Sequence, residues 1–280
     1  MNSLRPYQEA DVIELQTRDS FGIFNEQRTG KTPTSLTAMT MKTKGRVLIV
    51  ATASMVYKWQ DEAHTWTDRK AYVYSGTTKQ REAILDSFKE TEGSMLIISY
   101  GLLKDTKSYK GLKDKLKTMD IQGLIVDEVH RAVGRNTANF KALRALVKIP
   151  YRFYLTGTPA PNHPSQVWSI LTMIEPKRFS SYWRFAEEYF VIDSIRLPPT
   201  APRPFIEQAG EFLSDKKNDY DNMLNDHAIM RKRKDVMPWL PKEEPHTRIR
   251  LPLTNQQRRY LKEMEEYYET EHVIAQGILD

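Results

Sequence analysis

Short runs of apolar, often β-branched residues alternate with longer amphipathic stretches over the first 175 residues of the chain. The runs at 46–50 and 94–98 show no regular polar alternation, which is typical of central strands covered on both faces. Segments of helical length, such as 54–66 and 78–89, separate such runs, and each opens with a good N-cap residue. The predicted strands are 21–24, 46–51, 71–74, 95–99, 124–126 and 152–155.

Repeated strand–helix–strand units at this spacing predict an α/β fold. Its sheet is expected to be doubly wound and mostly parallel, with helices on both faces. In such a sheet the carboxyl ends of the strands form the edge at which ligands bind. Candidate chemistry is therefore expected directly after the strands.

The pattern changes after about residue 175. Helices are predicted over 178–191 and 211–235, and a cluster of four prolines at 198–204 predicts a turn or surface loop. An alternating strand is predicted at 247–253, followed by a helix that opens with a capping box at Thr254. The predicted domains are 1–175, a helical and proline-rich appendage at 176–246, and a strand and helix at 247–280.

Composition narrows the possible functions. The 280 residues include no cysteine, which excludes disulfides, thiolate metal sites and cysteine nucleophiles. Apart from His130, the other five histidines show no metal-ligand spacing, so no zinc is expected. No apolar run approaches the roughly 18 residues of a membrane span. The formal charge of +6 is a weak indication of a polyanionic partner such as nucleic acid.

The first predicted strand leads into a loop that ends Gly30-Lys31-Thr32 and then into a helical pattern. A phosphate-binding loop needs backbone N–H groups aimed at phosphate oxygens and the positive end of a helix. Lys31 is expected to reach the β- and γ-phosphates of ATP, and the Thr32 hydroxyl to hold Mg²⁺. Asn25 replaces the motif's first glycine, and asparagine tolerates left-handed backbone well. The alternative is a chance tripeptide in a turn.

Two acids, Asp127 and Glu128, end a later apolar strand. Asp127 is expected to complete the Mg²⁺ shell and Glu128 to polarise the attacking water. The alternative, a pair of solvated acids in a turn, loses weight because the upstream Gly-Lys-Thr has the right order and spacing. A third polar segment, 154–159, also follows an apolar strand and suits close approach to a ligand. The alternative is a polar turn ended by Pro159, which spacing alone does not exclude.

Taken in order, these motifs resemble helicase superfamily 2, and within it the Swi/Snf-type DNA-dependent ATPases and their phage and bacterial relatives. Segment 25–32 resembles motif I, for which the family commonly has Asp-Glu-Met-Gly-Leu-Gly-Lys-Thr, so that Asn25 and Arg28 are departures. Segment 4–8 resembles the Q-like motif, whose glutamine contacts adenine. Segment 47–62 is similar to motif Ia, and segment 98–103 to motif Ib. Segment 127–131 resembles motif II, and segment 155–162 resembles motif III. Segment 230–236 resembles the stretch between the two lobes.

The resemblance implies a RecA-like N-terminal lobe that binds ATP and Mg²⁺. The residues it assigns to nucleotide binding are Arg5, Gln8, Asn25, Arg28, Thr29, Gly30, Lys31 and Thr32. It assigns Thr32 and Asp127 to the Mg²⁺ ion. The catalytic residues it implies are Lys31, Asp127, Glu128 and His130. A second RecA-like lobe supplies arginine fingers in motifs IV to VI. Nothing after residue 254 resembles those motifs, so we expect a longer polypeptide and only slow hydrolysis by this chain.

The resemblance also implies a nucleic-acid partner, most simply the backbone of double-stranded DNA. Contacts are expected at Ser54, Lys58, Ser99 and Tyr100, with Thr156 linking the ATP and DNA sides. The basic run 231–234 then belongs to the inter-lobe segment rather than to a nuclear localisation signal, and Trp59 is expected to pack in the core. The chain is expected in the cytoplasm of a bacterial or phage-infected cell, or in the nucleus of a eukaryote.

The predicted function is that of an enzyme, the ATP-binding lobe of a helicase-like translocase on double-stranded DNA. The alternative is a non-catalytic module that binds DNA or protein and keeps ATP as a structural ligand. Retention of Lys31, Thr32, Asp127 and Glu128 favours the enzyme, because a decayed site is free to lose them.

Overall fold

A computed structural model describes residues 3–104, 112–196, 205–240 and 252–276. The predicted proline loop at 198–204 lies outside these residues. Most of the strand predicted at 247–253 does as well, and its last two residues, Pro252 and Leu253, lie in no strand.

The main sheet has seven strands in the order β3-β4-β2-β5-β6-β1-β9, and every neighbouring pair is parallel. The strands are β1 Ser20–Ile23, β2 Arg46–Ala51, β3 Ala71–Val73, β4 Met95–Ser99, β5 Ile121–Val126, β6 Tyr151–Leu155, β7 Phe190–Arg196, β8 Phe205–Phe212 and β9 Ala228–Ile229. The antiparallel pair β7 and β8 forms a separate small sheet. All six predicted strands are present, with bounds that differ by no more than three residues.

Helices connect the parallel strands. The α-helices of the described residues are α1 Pro6–Gln16, α2 Lys31–Lys42, α3 Val56–Trp66, α4 Thr78–Glu90, α5 Tyr100–Leu103, α6 Leu112–Lys117, α7 Ala138–Arg144, α8 Trp168–Ile174, α9 Tyr182–Tyr189, α10 Lys216–His227, α11 Arg233–Val236 and α12 Asn255–Gln276. Short 3₁₀ turns precede α3 and α8. The helix predicted at 54–66 thus begins as a 3₁₀ turn and continues as α3.

Both faces of the main sheet are covered. In β2, Val47 and Ile49 pack with α1, α2 and α3, whereas Leu48 and Val50 pack on the opposite face with α4, α7 and α8. All four side chains are fully buried. Burial of alternate residues in two different clusters is what an uninterrupted apolar strand requires, and the predicted doubly wound α/β fold is confirmed.

Two predicted helices are only partly helical. Within 178–191 the helix α9 stops at Tyr189, and β7 follows because it pairs with β8. Within 211–235 only α10 and the short α11 are helical, and β9 between them pairs in parallel with β1. Strand pairing with distant residues overrides local helical preference at both places, so those two helix predictions were too long.

The chain forms two compact units, Met1–Pro238 and Trp239–Asp280. The boundary predicted at residue 175 has no counterpart in this division, because β9 completes the main sheet and the segment before it contains the β7–β8 sheet. In the second unit the capping box of α12 is present: the Gln257 N–H donates to Oγ1 of Thr254 at 3.3 Å, and the Thr254 N–H donates to Oε1 of Gln257 at 2.9 Å. Among the described helices, none combines the length and apolar character that crossing a bilayer requires.

Candidate nucleotide-binding site

The site lies where three neighbouring parallel strands end. Since β6 lies between β1 and β5, the segments that follow these strands meet at one edge of the sheet. They are the loop before α2, Thr156 after β6, and the acids Asp127 and Glu128 after β5. Motifs a hundred residues apart in the sequence are therefore neighbours, as the resemblance implied.

The loop before α2 turns on two left-handed residues, Arg28 (φ 66°) and Gly30 (φ 80°). A Cβ on Gly30 would lie 2.0 Å from Nε2 of Gln8, so a larger residue there would displace the Gln8 side chain and also strain the left-handed backbone. Arg28 adopts the same left-handed conformation, which is costly for a residue with a side chain. Asn25 has no positive φ, and the expectation that it supplies the left-handed position was wrong.

Lys31, the first residue of α2, is held at the mouth of the loop. Its Nζ donates to the carbonyl oxygens of Asn25 at 2.9 Å and Glu26 at 3.1 Å. Burial lowers the pKa of the Lys31 ammonium, and the carboxylates of Glu128 and Asp127 partly offset this effect. A cation is thus fixed beside the positive end of a helix and faces two acids.

Helix α1 supports the loop from the side. Gln8 accepts a hydrogen bond from the Arg5 N–H at 2.8 Å through Oε1, and its Nε2 donates to the carbonyls of Thr29 and Gly30, each at 3.3 Å. The Tyr7 hydroxyl donates to the same Thr29 carbonyl at 2.8 Å, a contact that the sequence analysis missed. The amide that the family resemblance assigns to adenine is therefore part of the loop's scaffold.

A cavity of about 530 Å³ opens beside this scaffold and brings together five of the predicted nucleotide residues. Its lining consists of Ser3, Arg5, Gln8, Arg28, Thr29, Gly30, Pro33 and Trp66. The indole of Trp66 and the planar groups of Arg5 and Arg28 suit a flat heterocycle, and the loop lies at one end of the cavity. Its chemistry therefore fits the base and sugar of a nucleotide whose phosphates reach Lys31.

Asp127 is fixed by two donors. Its Oδ2 accepts from Nε1 of Trp59 at 2.9 Å, and its Oδ1 accepts from the Glu128 N–H at 3.0 Å. Burial raises the pKa of Asp127, whereas the Trp59 hydrogen bond and the positive charge of Lys31 lower it. Trp59 is 1% exposed and packs in the core as predicted, but it also orients this acid. The available signal was that a buried indole N–H needs an acceptor.

Glu128 connects to the segment after β6. It adopts a left-handed backbone (φ 48°), and its Oε2 lies 3.1 Å from Nδ1 of His130. The same nitrogen lies 3.0 Å from Oγ1 of Thr156, which also accepts from the Thr158 N–H at 3.0 Å. His130 thus bridges the acid and the third motif. The Tyr100 hydroxyl donates to the Asp127 carbonyl at 2.7 Å.

The five predicted nucleic-acid residues fall into two groups. Ser54 and Lys58 lie at the start of the α3 region with exposed side chains. Ser99, Tyr100 and Thr156 are buried: Oγ of Ser99 caps α5, and the hydroxyls of the other two are bonded within the site. Only Ser54 and Lys58 present polar groups to solvent in this arrangement.

The residues present fit a nucleotide carried with Mg²⁺. The Thr32 hydroxyl and the Asp127 carboxylate are oxygen ligands of the kind that Mg²⁺ prefers, and Lys31 with the N-terminus of α2 suits phosphate. In the part of the chain that the structure describes, no cluster of three or more His, Asp or Glu side chains is arranged to hold a metal.

The raised pKa of Asp127 predicts a pH-dependent stability difference. Because the folded-state pKa lies above the unfolded value, the wild-type chain loses stability as pH rises through it. Asp127→Asn removes this loss and keeps an oxygen for Trp59. Urea unfolding from about pH 3, below the ordinary pKa of 3.8, to pH 8 is expected to show a gain for Asp127→Asn that grows as pH rises through the raised pKa. The exposed Asp61→Asn serves as the control, and an equal gain at every pH contradicts the prediction.

Comparison with known proteins places this site in a family. The model of the SNF2-related domain matches residues 15–277. The chain is 27% identical over 277 residues to Chromodomain-helicase-DNA-binding protein 9 of Mus musculus, covering 93% of this chain and 9% of that protein. It is 29% identical over 284 residues to the Chromodomain-helicase-DNA-binding protein 3 homolog of Caenorhabditis elegans, covering 93% and 15% respectively.

A solved structure shares the fold. The Sulfolobus solfataricus SWI2/SNF2 ATPase core in complex with double-stranded DNA superposes with a TM-score of 0.62 at 20% identity, over 86% of this chain and 47% of that one. The chain thus spans less than a quarter of these curated relatives and about half of the solved core. The family model covers nearly the whole sequence, and the chain therefore belongs to the SNF2-related domain family.

Proposed function

We propose that this chain is the ATP-binding lobe of a nucleic-acid-dependent ATPase that moves along double-stranded DNA. The observation that carries the proposal is the convergence of Lys31, Asp127, Glu128 and Thr156 at one edge of a parallel sheet. Nucleotide hydrolysis needs a phosphate-binding cation, a metal ligand and a water-activating acid, and these side chains can supply all three.

Each residue has a separate task in this proposal. Lys31 and the N-terminus of α2 bind the β- and γ-phosphates, and Thr32 and Asp127 hold Mg²⁺, which neutralises charge on those phosphates when bound. Glu128 accepts a proton from water at its carboxylate and is oriented by its contact with His130. Because His130 also contacts Thr156, a change in the position of the Glu128 side chain is transmitted to the end of β6.

Completion by a second lobe is part of the proposal. In phosphoryl-transfer enzymes an arginine finger contributes about 10³ to 10⁵ in rate, and the family resemblance assigns such arginines to a second RecA-like lobe. The chain covers 47% of the solved ATPase core, so that core contains a further part to which the proposed second lobe can correspond. Slow turnover is expected from the chain alone.

Double-stranded DNA is the proposed nucleic acid. The solved Sulfolobus core is in complex with that ligand, and Ser54 and Lys58 are exposed beside α3. A hydroxyl and an ammonium suit backbone phosphates and read no base edges, so binding without sequence preference is expected. The phage or bacterial source and the cytoplasmic location remain predictions.

Lys31→Ala tests nucleotide binding. Loss of a charged hydrogen-bond donor is expected to weaken ADP and ATP binding at least about 10-fold, measured by titration calorimetry with Mg²⁺. The matched control is Lys70→Ala, an exposed lysine next to the amino end of β3 and remote from the site. Wild-type affinity in Lys31→Ala would remove the basis of the proposed site.

Glu128→Gln separates binding from chemistry. The substitution keeps the size of the side chain and its hydrogen-bonding oxygen, so ATP affinity is expected to stay close to the wild-type value. Single-turnover hydrolysis is expected to fall about 10²-fold or more, because the general base is lost. If ATP binds and Glu128→Gln leaves the hydrolysis rate unchanged, the non-catalytic module with a structural ATP site becomes the better description.

Lys58→Ala tests the DNA contact. Removal of one phosphate contact is expected to weaken duplex binding equally for all sequences and to reduce the slope of log affinity against log salt by about 1. Fluorescence anisotropy with two unrelated duplexes at several salt concentrations measures both quantities. Lys70→Ala again serves as the control, and equal slopes in both variants argue against a contact at Lys58.

A further inference from the structure

Asp11 is a buried carboxylate that has no task in the nucleotide chemistry described above. It lies on α1 and is 0% exposed. Its Oδ2 accepts a hydrogen bond from Nδ2 of Asn25 at 2.9 Å, and its Oδ1 accepts from Nε of Arg231 at 2.9 Å and lies 2.8 Å from Nη2 of the same residue. A buried carboxylate must be paired and hydrogen-bonded to be tolerated, so these donors fix the position of Asp11.

Asn25 closes this network. Its Oδ1 accepts from the Arg231 N–H at 2.8 Å, while its Nδ2 donates to Asp11. Each of the three residues is therefore bonded to the other two, although Asp11 and Arg231 are 220 positions apart. Asn25 is 1% exposed, and both polar atoms of its side chain are used. The first residue of the phosphate loop is thus held by its side chain.

The backbone around Arg231 follows the start of the same loop. The Phe24 N–H donates to the Ile229 carbonyl at 2.8 Å, and the Glu26 N–H donates to the Arg231 carbonyl at 2.9 Å. The Arg233 N–H donates to Oε2 of Glu26 at 2.7 Å. These bonds extend the β1–β9 pairing beyond the ends of both strands and into the loop.

The residues held in this way are also those that hold the phosphate lysine, since the carbonyls of Asn25 and Glu26 accept from Nζ of Lys31. We propose that Arg231 is a positioning residue of the nucleotide site: with Asp11 it fixes Asn25 and Glu26, and through their carbonyls it sets the position of the Lys31 ammonium. This inference rests on the proposed function, in which Lys31 binds phosphate.

The pairing also changes the interpretation of the basic run 231–234. The Arg231 guanidinium is engaged by Asp11, whereas Lys232 and Lys234 are exposed. Because the Arg231 side chain is 40% exposed, solvent screens part of its charge, and the geometry of the contact matters as much as the ion pair itself. Arginine presents two donors in a rigid plane, which lysine does not.

The test uses the full 280-residue chain with Arg231→Gln, Arg231→Lys and the matched control Lys232→Gln, which removes a charge from the exposed neighbour. The first measurement is backbone amide exchange of residues 24–31 without nucleotide. The second is the affinity for ADP with Mg²⁺, measured at urea concentrations well below the midpoint of unfolding. Arg231→Gln is expected to speed exchange and weaken ADP binding, each about 10-fold. Arg231→Lys should be intermediate and Lys232→Gln unchanged.

Wild-type exchange and affinity in Arg231→Gln would overturn the proposal. So would lower stability with wild-type ADP affinity, because Arg231 would then only hold β9 to the sheet. If the wild-type chain itself fails to bind ADP, the proposed function fails, while the exchange measurement still decides whether Arg231 orders the loop. If Arg231→Gln does not fold, Asp11→Asn removes the charge from the other side of the pair at nearly constant shape and carries the same expectations.

Discussion

Parallel pairing of β1, β6 and β5 is the constraint on which the site depends. Parallel strands end at the same edge, and adjacent strands lie about 4.8 Å apart, so the phosphate loop and the acids are separated by the width of one intervening strand. Residues after β6 fill that gap. A Cβ on Gly157 would lie 3.3 Å from Cγ and 3.4 Å from N of Gln27, which shows how closely the phosphate loop lies over the end of β6. The sheet thus sets the size of the cleft before any ligand enters.

The charged side chains of Lys31 and Asp127 in this cleft disfavour folding unless neighbouring groups stabilise their charges. Burial lowers the pKa of Lys31 and raises that of Asp127, so each group is less favourable in its charged form than it is in water. Trp59 donates to the carboxylate, and the Tyr100 hydroxyl satisfies the carbonyl of the same residue. Fixed donors and charges of this kind stabilise a reacting phosphate without reorganisation during the reaction. In the proposed function, the site therefore gains this preorganisation at a cost in stability.

Sequence patterns predicted the parts of the molecule that depend on local order. Uninterrupted apolar runs located six strands, and the position of Lys31, Asp127 and Thr156 after three of them predicted that these residues meet at one edge of the sheet. Contacts between distant residues escaped this reasoning: the Trp59–Asp127 bond spans 68 positions, and nothing in the pattern pairs Asp11 with Arg231. The strands β7, β8 and β9 were missed for the same reason, because their pairing partners, not their own propensities, make them strands.

Asn25 shows how a departure from a family pattern is resolved by structure. The family commonly has an aspartate at this position, and a carboxylate there would face the carboxylate of Asp11 at hydrogen-bonding distance, which is unfavourable for two buried like charges. The amide instead donates to Asp11 and accepts from the Arg231 backbone. The negative charge that pairs with Arg231 thus comes from α1, and Asn25 connects the two. An amide at position 25 therefore suits the two neighbours that it contacts in this chain, the Asp11 carboxylate and the Arg231 N–H.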